Sequence, residues 1–197
     1  MGWLAWVFLL RAGCESMDRL MGDGGVLNSL LIITGSMGAG KSSVMDEASD
    51  ILAQRKIVHA AIDLDALGVG YLPSGARNDG AMYKNLRSIC GNYAALGVQR
   101  FLVARAIEGE AQLKLCREII PAVDTVVCRV TASLETMRRR VEMRDVGMAQ
   151  GEYVARVGEL NSVLDRARLE DFVVVNEDRL LTDVAMEMLR KAGWISN

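Results

Sequence analysis

One stretch constrains this chain more than any other: SLLIIT followed by GSMGAGKSS, residues 29 to 43. A short, nearly all-apolar run before a glycine-rich turn reads as a strand covered on both faces, as in the interior of a parallel sheet. The turn matches G-x-x-x-x-G-K-[ST] in full at Gly35, Gly40, Lys41 and Ser42. KSSVMDEASDILAQ follows and puts Val44, Ala48, Ile51 and Leu52 on one helical face. Strand, loop and helix in that order are the context the motif demands.

The chemistry of such a loop is direct. Gly35, Gly38 and Gly40 let the backbone close around phosphate oxygens without Cβ clashes. Inward N–H groups and the helix N-terminus favour an anion there. The expected nucleotide-binding set is Gly35, Ser36, Met37, Gly38, Ala39, Gly40, Lys41, Ser42 and Ser43. Lys41 reaches the β- and γ-phosphates, and the Ser42 hydroxyl ligates Mg²⁺. ATP and Mg²⁺ are therefore the expected cofactors, with GTP left open as donor.

Beyond the loop, apolar runs alternate with helical patterns. Strands are expected at 57–63, 100–107, 125–132 and 171–176, besides the one at 29–34. Helices are expected at 41–54, 81–96, 109–120, 133–144, 151–169 and 181–193. Gly97 suits a helix C-terminus, Pro121 closes the helix before it, and Ser133 can cap the one that follows. Five apolar strands separated by helices argue for a three-layer α/β fold: a five-stranded parallel sheet with helices on both faces.

Composition narrows the class. The 197 residues suffice for one domain with a full core. A net charge of −2 argues against a general nucleic-acid binder. Cys14, Cys90, Cys116 and Cys128 form no CxxC pair and the chain has one histidine, so a zinc site is not expected. The cysteines read as small buried hydrophobes in a reducing compartment. His59, at the start of its strand, reads as structural.

The first 28 residues stand apart. WLAWVFLL (3–10) is too short to span a bilayer, and its charge, Arg11, comes after the apolar run rather than before it. Residues 1–28 are expected to be a poorly ordered extension, with Met17 or Met21 as the candidate natural start, and 29–197 to be the folded domain. No membrane partner is expected; a membrane-contacting segment is the lesser alternative. A triphosphate-binding protein belongs in the cytoplasm.

The second strand ends AIDLDALG. Asp63 and Asp65 then lie at the strand's C-terminal end, on the edge where ligands sit in open parallel sheets. One carboxylate can accept the proton of an attacking hydroxyl or orient it, and the other can hold Mg²⁺ directly or through water. The bland alternative is turn capping, which Asp also favours. Many phosphate-loop ATPases place a Mg²⁺-binding acid at the end of the third strand; this chain reads VARAIEGE, with no acid before Glu108.

The order GSMGAGKSS, IDLD and a helix carrying KNLR (84–87) resembles the phosphate-loop kinases of small molecules over residues 29 to 195. It is most similar to adenylylsulfate kinase, with chloramphenicol phosphotransferase, gluconate kinase and shikimate kinase as cousins. The resemblance implies a P-loop NTPase fold of the nucleoside-monophosphate-kinase type and γ-phosphoryl transfer from ATP to a hydroxyl of a small molecule. It sets Asp63-Leu64-Asp65 in place of an Asp-Gly-Asp stretch, and Asn85 and Arg87 in place of an acceptor-binding Asn-x-x-Arg stretch. Two departures bear on the acceptor: the family's further Arg falls near Met82, and its Ser-Pro segment falls where this chain reads RAIEG.

The run RRRVEMR (138–144) follows the fourth strand. A solvated helix face is the bland reading. In the resembling kinases this segment is a lid, here near 138–151, whose arginines offset charge on the transferring phosphoryl group. Arg140 and Arg144, four apart, share a helical face; Gly147 and Gly151 lie beyond them. Asn176 and Asp178 are weaker candidates for a base contact. The catalytic set is then Lys41, Asp63, Asp65, Arg140 and Arg144, with Asp63 activating or orienting the acceptor hydroxyl and Asp65 assisting with metal or acceptor; the acceptor set is Asp63, Asp65, Asn85 and Arg87. The assembly is expected to be a monomer or homodimer. A regulatory nucleotide-binding protein without phosphotransfer and an antibiotic phosphotransferase are the rival readings.

Overall fold

The computed structural model describes residues 28–70 and 79–196. The expected N-terminal extension and Cys14 lie outside the described residues, except that Asn28 is the first residue of a strand and pairs with Ala122.

The elements run β1 (Asn28–Thr34), α1 (Lys41–Gln54), β2 (Ala60–Asp63), a single 3₁₀ turn (Asp65–Gly68), α2 (Asp79–Ala95), β3 (Arg100–Ala104), α3 (Glu110–Ile119), β4 (Ala122–Thr131), α4 (Leu134–Arg144), α5 (Gln150–Ala167), β5 (Phe172–Val175) and α6 (Leu181–Lys191). The sheet order is β2-β3-β1-β4-β5, and every pairing is parallel. The expected three-layer α/β fold is what forms.

β1 explains why its sequence is apolar throughout. Leu31 and Ile33 point into one core, with α1, α6, Met137, Val141 and Val157. Leu30 and Ile32 point into the other, with α2 and α3. All four are fully buried, each worth about 1.5–3 kcal/mol relative to an exposed position. A central strand has no solvent face, so it shows no alternation.

Several element ends differ from the sequence reading. The second strand begins at Ala60, not 57. Lys56 takes a left-handed φ of 58°, and the N–H of Ile57 donates back to Leu52 O at 2.9 Å. The chain is still leaving α1 there, and Val58 is exposed. The third strand ends at Ala104, because β2, its outer neighbour, ends opposite it at Asp63. β4 begins at Ala122, pairing with the start of β1 across a register shift at Asn28/Ser29.

The expected terminators hold. Gly97 has a φ of 85° just beyond α2, with Val98 N–H donating to Tyr93 O at 3.1 Å. Ser133 caps α4, accepting from Thr136 N–H at 3.2 Å. His59 bridges Ser49 and the Ile57 carbonyl, each at 2.8 Å, a structural role. Cys90, Cys116 and Cys128 are free and buried; burial pushes their thiols up to about 12, 11 and 12, which leaves them unreactive.

Candidate active site

The sheet topology gathers the site at one edge. β1 lies between β3 and β4, so the loop leaving β1 is flanked by the turns leaving both neighbours. Arg105 N–H still donates to Ile33 O at 3.1 Å, and Leu64 N–H to Ala104 O at 3.0 Å. The ends of β1, β2 and β3 are thus locked into one platform.

The loop's glycines are required from the protein side. Gly35, Gly38 and Gly40 have φ of 151°, 76° and 94°, which L side chains rarely adopt. A Cβ on Gly35 would lie 2.3 Å from Val130 O, one on Gly38 2.2 Å from Met137 O, and one on Gly40 2.3 Å from Asn176 Nδ2. β4, α4 and the turn after β5 therefore press directly on the loop. The same turn also supports it: Asn176 Nδ2 donates to Ala39 O at 2.9 Å. Asn176 is 7% exposed and holds the loop itself, which assigns it a structural function beyond the weak base contact considered from sequence.

Lys41 opens α1 and donates from Nζ to Ser36 O at 3.2 Å. Burial lowers its pKa; the charges of Asp65 and Asp63 oppose that shift, and Arg144 and Arg105 add to it. The ammonium thus lies within the electrostatic reach of both acids and both arginines. Ser42 Oγ donates to Asp63 Oδ2 at 2.5 Å, and Asp63 Oδ1 accepts Asp65 N–H at 3.0 Å. Asp63 therefore caps its own turn, the bland alternative weighed for it, and also accepts from the hydroxyl of the motif. Asp46, one helical turn beyond Ser42, has its carboxyl pushed up by desolvation and then by the charges of Asp63 and Asp50.

Asp65 lies in the 3₁₀ turn with its side chain 65% exposed and Arg105 Nη1 at 3.5 Å. Asn85 and Arg87 both lie on exposed positions of α2. Asn85 Nδ2 donates to Leu67 O at 2.9 Å, pinning α2 to the turn that carries Asp65.

Arg140 and Arg144, the two arginines expected in a lid, make different contacts. Arg140 donates to Asn176 O at 3.0 Å and to Gly38 O at 3.4 Å, so it already touches the loop. Arg144 is 62% exposed and grips Asp145, with a shortest contact of 2.7 Å. That carboxylate raises the Arg144 pKa further. Glu177 accepts from Ser133 Oγ at 2.6 Å and Ser133 N–H at 3.0 Å, which tie the start of α4 to the turn after β5.

Two members of this cluster escaped the sequence reading. Arg105 was met only as part of a segment lacking an acid. Glu177 carries no motif signal at all; its partner lies 44 positions away.

The fold that forms around this loop is that of the phosphate-loop kinases of small molecules. A gluconokinase from Sinorhizobium meliloti 1021 superposes with a TM-score of 0.58 at 17% identity, covering 85% of this chain and 93% of its own. An APS kinase from Mycobacterium tuberculosis, solved with AMPPNP and APS, gives 0.56 at 21% identity, covering 83% and 96%. A tunicamycin resistance protein from Deinococcus radiodurans gives 0.57 at 14% identity, covering 85% and 97%. No family model matches the sequence, and no curated protein matches it.

Proposed function

We propose that this chain is a kinase that transfers the γ-phosphoryl group of ATP, with Mg²⁺, to a hydroxyl of a small molecule. The observation that carries this reading is the contact of Ser42 with Asp63, made beside Lys41 and one turn from the exposed Asp65. It joins the triphosphate loop to an acid pair at the ligand edge of the sheet.

The residues present fit Mg²⁺. Ser42 and Asp63 offer hard oxygen donors within one hydrogen bond of each other, and no group of three or more His, Cys, Asp or Glu side chains suited to a metal occurs among the described residues. Mg²⁺ takes one or two protein oxygens and completes its shell with waters and phosphates, rather than a full protein cage. When bound, it neutralises charge on the phosphates.

The chain's own groups divide the work. The loop amides and Lys41 hold the triphosphate. Asp63, engaged with Ser42, orients the metal side. Asp65, exposed and aimed by Arg105, takes the proton of the acceptor hydroxyl or orients it. Sequence alone set Asp63 to that task first; the hydrogen bonds favour exchanging the two roles. Arg140 steadies the loop, and Arg144 leaves Asp145 to meet the phosphoryl group as the lid closes. Arg87 remains the acceptor contact on α2.

A drug acceptor stays in view through the tunicamycin resistance neighbour. We place the protein in the cytoplasm, as a monomer or homodimer; no helix among the described residues is long and apolar enough to cross a membrane. The experiment is a screen of hydroxyl-bearing metabolites and antibiotics for acceptor-dependent ADP release. One acceptor whose turnover is lost in Lys41→Ala supports the reading. Tight ATP binding with no turnover of any acceptor replaces it with a regulatory role.

A further inference from the structure

We propose that Arg105 is a positioning residue for the acceptor half of the site, clamping Asp65 and Asp79 together from beneath. The proposal rests on the kinase reading for its catalytic consequence, and on geometry for the clamp itself.

Arg105 stands where the chain leaves β3, the place that carries an acid in many phosphate-loop ATPases. Its main chain is fixed by β1 through Ile33 O at 3.1 Å, and the preceding carbonyl, Ala104 O, is bonded by Leu64 N–H between the two acids of the pair. The side chain then runs under α2. Nη2 reaches Asp79 Oδ1 at 3.1 Å and Nη1 reaches Asp65 Oδ1 at 3.5 Å. Nη1 also contacts Met82 Sδ, and the guanidinium carbon lies 5.9 Å from the Tyr83 ring centroid. Arg105 is 13% exposed, whereas Asp65 and Asp79 are 65% and 44% exposed. The cation is the floor, and the two carboxylates are the rim that an acceptor meets.

A purely structural ion pair would be expected to satisfy its buried donors. Here Nε is buried without a partner among the described residues, and the Asp65 contact is long. The arrangement favours holding two carboxylates in place over completing one good pair. It links the turn bearing Asp65, the first turn of α2 at Asp79, and the end of β3. Asn85, bonded to Leu67 O, fastens the same turn to the same helix from the other side. The acid that faces the acceptor and the helix that contacts it therefore move as one body.

The test uses the full chain, as wild type, Arg105→Lys and Arg105→Met. With an acceptor identified, Arg105→Met should lower kcat/KM for that acceptor on the order of 10²-fold, the scale of an ångström's misplacement, with KM for ATP unchanged. Lys keeps the charge but lacks the planar fork, so it should rescue part of the loss. Unchanged acceptor kinetics in Arg105→Met, or a parallel loss of ATP affinity, would overturn the positioning role. Amide hydrogen exchange supplies the independent readout. In Arg105→Met, exchange should quicken at 65–68 and 79–83 and stay the same at 35–43. If wild type turns over no acceptor, the kinase reading fails and exchange alone decides the clamp: unchanged protection at both segments refutes it.

Discussion

Ser42 Oγ donates to Asp63 Oδ2 at 2.5 Å, across the gap between the start of α1 and the end of β2. The contact joins a motif residue to an acid 21 positions later. It also separates the two acids, since Asp65 has no such bond and turns instead toward Arg105. Asp63→Asn should raise the Mg²⁺ concentration needed for half-maximal turnover and lower kcat by roughly 10²–10³-fold, the usual cost of one preorganised charged partner. Asp65→Asn should lower kcat to a similar degree with the Mg²⁺ requirement unaltered. Mg²⁺ titrations of both variants check this, and an unchanged Mg²⁺ requirement in Asp63→Asn would return Asp63 to the acceptor.

Two glycines with similar φ separate backbone strain from crowding. Gly97, at 85°, has open space where a Cβ would go; Gly38, at 76°, has the Met137 carbonyl there at 2.2 Å. Gly97→Ala should cost about 1–2 kcal/mol of stability, the left-handed penalty alone, with ATP affinity intact. Gly38→Ala should cost more than that and abolish ATP binding, because the obstruction is backbone and the loop itself must shift. Thermal melts and ATP titrations on both variants distinguish the cases.

The contrast shows what was legible in the sequence. β1 was readable because both its faces are buried, leaving Leu30 through Ile33 no polar position. The phosphate loop was readable because its requirements are local. The first turn of the expected second strand was misread because Ile57 and Val58 are as apolar as strand residues, and nothing in their composition records the left-handed turn at Lys56. Arg105 was invisible for a different reason. Its partners Asp65 and Asp79 lie 40 and 26 positions away, and an arginine after a strand ordinarily reads as a surface charge. Asn176 against Gly40 is the same case: a contact 136 residues apart made by two loops that only the sheet order brings together.

Glu177 predicts an acid-range dependence with a definite sign. Hydrogen bonds from the Ser133 hydroxyl, then Thr136 and the Ser133 amide, pull its carboxyl down to about 2 from 4.5. A depressed acid stabilises the fold fully above its unfolded value and loses that contribution as pH falls from about 4.5 through about 2. Carboxyl NMR should show Glu177 titrating below the other glutamates. Glu177→Gln should flatten the decline of stability over that interval, measured by denaturant unfolding at several pH values. A Glu177 titrating near its ordinary value would show that its tie to Ser133 at the start of α4 does not hold in solution.

Arg140 and Arg144 share a helix but should fail in different ways. Arg140 bonds the carbonyls of Gly38 and Asn176, so Arg140→Met removes charged hydrogen bonds that shape the loop before any ligand arrives. Such bonds are worth about 1.5–3 kcal/mol each, and the variant should lose both stability and ATP affinity. Arg144 is held by Asp145 at the exposed end of the helix. Arg144→Met should leave stability within about 0.5 kcal/mol and ATP affinity close to wild type, while kcat falls by about 10³-fold or more, the scale for an arginine that meets the phosphoryl group only in the transition state. Asp145→Asn, which frees Arg144 without removing it, should retain turnover. Equal losses of ATP affinity in Arg140→Met and Arg144→Met would mean that both arginines serve the ground state, and that the segment 138–151 does not act as a closing lid.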